Sequence, residues 1–136
     1  MSNIEQTLSI IKPDAVERNL QDQIKNEFKN NGFEILKEKK IHISKEEAEK
    51  FYKVHESKPF YNDLCAYLSS GPIVVMCLQK DNAVLENRKF MGATNPQDAE
   101  EGTLRKKYGI SIDKNSVHGS DSVENAKIEL DFFFKD

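Results

Sequence analysis

The sequence predicts an α+β fold, a four-stranded antiparallel sheet with helices packed on one face. Short apolar runs alternate with stretches of helical period in the order β-α-β-α-α-β-α-loop-β-α. The run Ile73-Val-Val-Met-Cys-Leu78 is continuous and apolar, as a central strand covered on at least one face must be. No glycine-rich turn follows the first strand, which removes the dinucleotide-binding doubly wound alternative. Together these features describe a ferredoxin-like α+β sandwich.

Each element has its own signal. Thr7-Leu8-Ser9-Ile10-Ile11 reads as a strand, ended by Lys12-Pro13 because proline discourages its continuation. Leu20, Ile24 and Phe28 recur every four residues on one face of a helix that stops near Asn31-Gly32. Residues 33–43 alternate apolar and polar in part and suggest a second strand. Ser44-Lys45-Glu46-Glu47 is a capping box, opening a helix that carries Ala48, Phe51 and Tyr52. Residues 60–68 form another helix, closed by Ser69-Ser70-Gly71-Pro72. After the apolar strand, Asp81 or Asn82 caps a helix that ends at Gly92. Residues 92–116 are the longest loop-like stretch. Asp121 with Glu124 repeats the capping pattern for a last helix, with Val123, Leu130 and Phe134 roughly on one face. Phe132-Phe133-Phe134 fits a helix end packed on the domain or a neighbour better than a functional device.

At 136 residues the chain supports one core, so residues 1–136 are expected to form a single domain. Its net charge of -3 gives no general attraction to nucleic acid or anionic membrane, so an anionic ligand must be held by a local cluster of cations. No apolar run approaches the roughly 18 residues needed to span a bilayer, and Met1 to Gln6 lacks a basic patch or apolar signal core. A cytoplasmic location is expected. Cys65 and Cys77 sit in apolar segments without metal-like spacing and read as buried thiols in a reducing compartment.

Among three histidines, His42 in a strand pattern and His55 after a helix read as structural or surface residues. His118 differs. In Asn115-Ser116-Val117-His118-Gly119-Ser120-Asp121 it precedes a small, flexible glycine and the apparent start of a helix, where partial positive charge favours phosphate. Imidazole is a good nucleophile at neutral pH, and its phosphoramidate passes the group on, which splits one transfer into two steps. One ring nitrogen must be held so that the other can attack. Glu129, about two helical turns into the last helix, is either that orienting carboxylate or a solvated helix residue. Lys12, Arg88 and Arg105 supply cations from separate segments, and the guanidinium fork suits phosphate oxygens. Arg88 falls with Val84 and Met91 on a partly apolar helical face, an odd place for a purely solvated charge.

Five segments, in order and spacing, resemble the signatures of the nucleoside diphosphate kinases. They are Thr7-Leu-Ser-Ile-Ile-Lys12-Pro13-Asp14-Ala15-Val16, Ser70-Gly71-Pro72 with the strand after it, Arg88-Lys-Phe-Met-Gly92-Ala-Thr94-Asn95-Pro96, Gly102-Thr103-Leu104-Arg105, and Asn115 to Asp121 as N-x-x-H-G-S-D. The resemblance runs from about residue 6 to 134 and implies the following roles. Nδ1 of His118 takes the γ-phosphoryl group of a nucleoside triphosphate and returns it to a diphosphate. Lys12 binds sugar hydroxyls and the transferred phosphate, and Tyr52 supports the site. Arg88, Thr94 and Arg105 hold the β- and γ-phosphates, and Asn115 reaches the ribose. Phe60 stacks on the base while Ile112 covers its other face, so every base is accepted. Ser120 and Glu129 position the histidine. Mg²⁺ arrives with the nucleotide; Asp121 either contacts its water shell or simply caps the last helix. Arg105→Ala is expected to weaken transfer and leave the fold intact.

Ala15 stands where the family often has glycine, and Asp22 where many members have one. Ala93-Thr94-Asn95-Pro96 and the short tail resemble bacterial members, so C-terminal contacts between subunits are expected to be absent. The resemblance also implies a homo-oligomer, a tetramer or hexamer built from dimers. A non-catalytic nucleotide-binding domain on the same fold is the competing reading, and His118 with Lys12, Arg88 and Arg105 argues against it. A nucleic-acid-binding role lacks the basic stripe it would need.

Overall fold

The computed structural model of the chain describes residues 4–112 and 114–134. Residues 1–3, part of the segment read for a targeting signal, and the tail residues 135–136 lie outside these. Strand β1 (Ile4–Ile11) is central, paired with β3 (Ile73–Asp81) on one side and β4 (Val117–Gly119) on the other, while β2 (Glu34–Ile41) pairs with the far edge of β3. The sheet order is β2-β3-β1-β4, antiparallel throughout. The fold class is therefore the one expected.

The placement of helices on one face is corrected: both faces are covered. Leu8, Ile10, Ile73 and Val75 face one core, whereas Ile11, Val74, Met76 and Leu78 face another. Successive side chains of a strand point to opposite faces, so continuous apolar runs such as Ile73 to Leu78 bury both. The first core is closed by α3 (Lys45–Phe51), α4 (Tyr61–Leu68) and α7 (Val123–Phe134), through Ala48, Cys65, Leu68 and Phe133. The second is closed by α2 (Gln21–Asn30), α5 (Ala83–Met91) and α6 (Leu104–Tyr108), through Ile24, Phe28, Met91 and Leu104. Among the described residues no helix is long and apolar enough to cross a membrane. Cys65 and Cys77 are free and buried.

Local chemistry explains most helix boundaries. The α3 capping box forms in full, with Glu47 N–H donating to Ser44 Oγ at 3.1 Å and Ser44 N–H to Glu47 Oε1 at 3.0 Å. At the end of α5, Gly92 adopts φ 86°, and a Cβ there would stand 2.6 Å from Thr103 Oγ1.

One expected cap shifts, and the other falls on the second of its two candidates, Asn82. The N-cap of α7 is Ser122, whose Oγ accepts Asn125 N–H at 3.1 Å; Asp121 instead accepts from the Asn125 amide at 2.6 Å. The chain is still bonded to β1 at Ser120, so the helix begins one residue later than the Asp121 pattern suggests. Asp81 continues β3 opposite Ile4, and Asn82 occupies the N-cap position of α5 with φ 55°. The α5 amide of Val84 donates to Glu5 of β1 at 3.2 Å, a cap supplied by a neighbouring strand.

Several short elements have no periodic signal. Helix α1 (Pro13–Glu17) follows β1 directly, with proline at its first position, where the missing N–H costs nothing. The stretch 92–116 holds a 3-10 turn (Pro96–Asp98) and α6. A register shift between Ile35 and Lys37 breaks the alternation of β2, an edge strand that is mostly exposed.

Candidate active site

The pairing of β4 with β1 places His118 opposite Ile10, on the face shared with α3 and α7. There its Nε2 lies 3.4 Å from Glu129 Oε1. Ser120 Oγ donates to the same oxygen at 2.7 Å and accepts the Leu8 N–H at 3.3 Å, which fastens the carboxylate to the sheet. With Nε2 facing a carboxylate, Nδ1 is the nitrogen whose lone pair is available. The rings of Phe51 and Tyr52 meet the imidazole edge-on, at centroid distances of 5.5 and 6.3 Å. Burial, then the charge of Glu129, then Cys65 push the Tyr52 hydroxyl above the ordinary tyrosine range, so it stays a protonated donor.

Gly119 is required by close approach. A Cβ there would meet Asn87 Nδ2 at 2.3 Å and Met91 Cε at 2.7 Å, so α5 lies directly against the residue after the histidine. Lys12, only 6% exposed, directs Nζ to Asn115 Oδ1 at 2.9 Å, and the Asn115 amide donates to the Thr94 carbonyl at 3.0 Å. Three segments far apart in sequence are thereby joined at one point.

Two clefts meet at Thr94. One, of about 630 Å³, is lined by Arg88, Thr94 and Arg105 together with Gly119. Burial, and secondarily repulsion from Arg88, lower the Arg105 pKa to about 10, which leaves it charged at neutral pH. Two arginines held together in this way favour an anion between them. Among the described residues, the buried Nε of Arg105 has no hydrogen-bond partner. The other cleft, of about 580 Å³, is mainly apolar and lined by Phe60, Leu64, Tyr67, Thr94 and Ile112. Phe60 and Ile112 are 47% and 54% exposed, large apolar side chains left open to a flat ligand.

The expected site residues thus fall into connected groups: His118, Ser120, Glu129 and Tyr52; Lys12, Asn115 and Thr94; Arg88 and Arg105; Phe60 and Ile112. Asp121 stands apart, its carboxylate on Asn125. Arg105 also does more than expected, since Nη1 donates to the Gly92 carbonyl and Nη2 to the Val117 carbonyl, both at 3.0 Å. Sequence reasoning missed Phe51 as a wall of the histidine site and Tyr67 as a wall of the apolar cleft. The spacing Phe60, Leu64, Tyr67, one helical face, could have revealed the second. His55 lies between the two regions, 6.2 Å from both Tyr52 and Phe60, whereas His42 bonds the Ser69 carbonyl at 2.8 Å.

Known proteins are similar to this chain in sequence and fold. A family model described as nucleoside diphosphate kinase matches residues 5–136. A nucleoside diphosphate kinase of Campylobacter jejuni is 55% identical over 132 residues, covering 97% of this chain and 96% of the relative. One from Geotalea uraniireducens is 53% identical over 131 residues, 96% of each chain. The crystal structure of the Aquifex aeolicus nucleoside diphosphate kinase superposes with a TM-score of 0.95 at 36% identity, over 97% of this chain and 96% of that one. The chain belongs to the nucleoside diphosphate kinase family of phosphotransferases.

Proposed function

We propose that this single-domain chain moves the γ-phosphoryl group of a nucleoside triphosphate to a nucleoside diphosphate in two half-reactions through phospho-His118. The observation that carries this reading is the His118–Glu129 contact, which occupies Nε2 and leaves Nδ1 as the nucleophile. The Nδ1 lone pair forms the N–P bond as the bond from the γ-phosphorus to its bridging oxygen breaks, and the diphosphate leaves. A second diphosphate then attacks the phosphohistidine in the same cleft, which makes the kinetics ping-pong. Phosphoryl transfer needs alignment and neutralised oxygens more than covalent help. Arg88, Thr94 and Arg105 are assigned to the β- and γ-phosphates and Lys12 to the transferred phosphate and the sugar. Asn115 is assigned to the ribose, and Tyr52, Ser120 and Glu129 to support of the histidine.

Phe60 and Ile112 sandwich the base without reading its edge, which gives broad base specificity and suits a role in balancing nucleotide pools. Kinases of this family need a divalent cation, and we assign Mg²⁺. Among the described residues no group of three or more His, Cys, Asp or Glu forms a cage, so the ion fits here as a partner of nucleotide phosphates and water. Bound in that way it neutralises phosphate charge. Asp121 is exposed, and we assign it at most a contact with the water shell of that ion. The two buried free cysteines support a cytoplasmic location, and the family resemblance supports a homo-oligomer, a tetramer or hexamer of dimers. No nucleic-acid or membrane partner is proposed.

The test is to incubate the protein with γ-labelled ATP and Mg²⁺ and to seek an acid-labile, alkali-stable phosphoprotein that a nucleoside diphosphate discharges. Folded wild-type protein that takes no label refutes the mechanism. Label that persists in His118→Ala moves the nucleophile elsewhere.

A further inference from the structure

Asp14 is a carboxylate only 4% exposed that lines neither the arginine cleft nor the apolar one, yet it is bonded from three directions. Tyr67 Oη donates to Oδ1 at 2.5 Å, Ser116 Oγ donates to Oδ2 at 2.8 Å, and Arg18 Nη2 reaches Oδ2 at 3.2 Å. The backbone joins in, with Asp14 N–H donating to Tyr67 Oη at 2.9 Å and Arg18 Nε donating to the Asp14 carbonyl at 3.0 Å. Arg18 Nη2 also contacts Ser116 Oγ at 3.2 Å and the Tyr108 carbonyl at 2.6 Å. One buried anion thus gathers α1, α4, the end of α6 and the segment leading into β4.

The geometry at Ser116 shows what this holds. Ser116 adopts φ 75°, the left-handed region that an L-residue occupies only when its surroundings over-determine it. Two bonds do so: its carbonyl accepts the Lys12 N–H at 2.8 Å, and its hydroxyl is on Asp14. The turn at Ser116 separates two catalytic groups. Just before it, Asn115 is bonded to Lys12 and Thr94; just after it, the chain enters β4 and reaches His118. Tyr67, on the other side of Asp14, is a wall of the apolar cleft.

We propose that Asp14 is a positioning residue for phosphoryl transfer, acting through Ser116 and Tyr67. It holds the Lys12–Asn115 pair, the base cleft and His118 in mutual register. This rests on the phosphohistidine reading above.

The test uses two conservative variants of the full chain. Ser116→Gly removes the hydroxyl while relieving the positive φ, so a purely structural role predicts no loss beyond any change in stability. Tyr67→Phe keeps the ring that lines the cleft and removes only the two bonds between its hydroxyl and Asp14. Both are expected to slow single-turnover phosphorylation of His118 about tenfold at saturating triphosphate. KM should change less than about threefold, and the rate loss should exceed any fall in the folded fraction read from the Tm of each variant. Wild-type rates in both variants, or rates that fall only as the folded fraction falls, overturn the proposal while the phosphohistidine mechanism stands. A wild-type protein that takes no label overturns both.

Discussion

Glu129 stands 3.4 Å from His118 Nε2 through the same oxygen that takes the Ser120 hydroxyl at 2.7 Å. That one oxygen ties α7 to the edge strand β4 and, through Ser120, to the central strand β1. A histidine needs this kind of partner because its two nitrogens are otherwise equivalent candidates for protonation.

Glu129→Gln keeps the shape and removes the charge. On the order of a tenfold loss in single-turnover phosphorylation is expected, the scale seen when an orienting partner of a functional histidine is lost. The melting temperature should move by no more than a few degrees. A variant that is phosphorylated at the wild-type rate would remove Glu129 from the mechanism.

Tyr52 makes a prediction about pH. Its hydroxyl is held protonated by burial and by Glu129, so it titrates later in the folded chain than at the unfolded value of about 10. A group whose folded pKa is raised contributes stability that is complete below the unfolded pKa and is lost as pH climbs toward the folded one. Wild-type stability should therefore fall more steeply than that of Tyr52→Phe above about pH 10, read from urea unfolding at several pH values. Parallel curves would contradict the burial argument.

Arg105 and Arg88 should separate. Arg105 donates to two backbone carbonyls, so Arg105→Ala should lose about 1–3 kcal/mol of stability as well as transfer activity. The fold should still stay intact, at reduced stability. Arg88 is exposed, and its charge opposes that of Arg105, so Arg88→Ala should change the stability of the free protein by less than about 0.5 kcal/mol. Its KM for nucleotide should nonetheless rise about tenfold, the scale of a charge-assisted hydrogen bond. An unchanged KM in Arg88→Ala would show that the clustering has no bearing on the ligand.

Gly119→Ala adds a methyl group 2.3 Å from the Asn87 amide. Overpacking of this kind costs about 1–3 kcal/mol, and either α5 or β4 must shift. Denaturant titration gives the cost, and a loss of histidine phosphorylation beyond the unfolded fraction would show that β4 is the element that yields.

Phe60→Ala should raise KM about tenfold for purine and pyrimidine diphosphates alike, since stacking uses a face that every base has. The side chain is largely exposed, so stability should change little. A loss confined to one base would mean that the cleft reads an edge.

Much of the site could be read from the chain because its chemistry sits in short strings. Asn115 to Asp121 contain the histidine, the glycine and the serine in order, and the Ser44–Glu47 capping box forms as its spacing requires. Apolar runs identified β1 and β3, and four-residue recurrence identified α2, because these patterns are local consequences of burial. The alternatives left open at Glu129 needed the tertiary structure, since a helix position does not tell which neighbour it faces.

Other features arise only when distant segments meet. The Glu5 cap on α5, the shift of the α7 cap from Asp121 to Ser122, and the second covered face of the sheet have no local signal. The same holds for Arg105, whose residue type suggests an anion site but whose partners are two carbonyls supplied by Gly92 and Val117. Sequence by itself determined which groups are available for phosphoryl chemistry and the order of the elements that carry them, because propensity, capping and periodicity act over a few residues. Only the tertiary structure showed that Glu129 faces Nε2 of His118 and that Asp14 holds Ser116 and Tyr67 together. Hydrogen bonds between residues about 50 to 100 positions apart exist only once the sheet has closed around them.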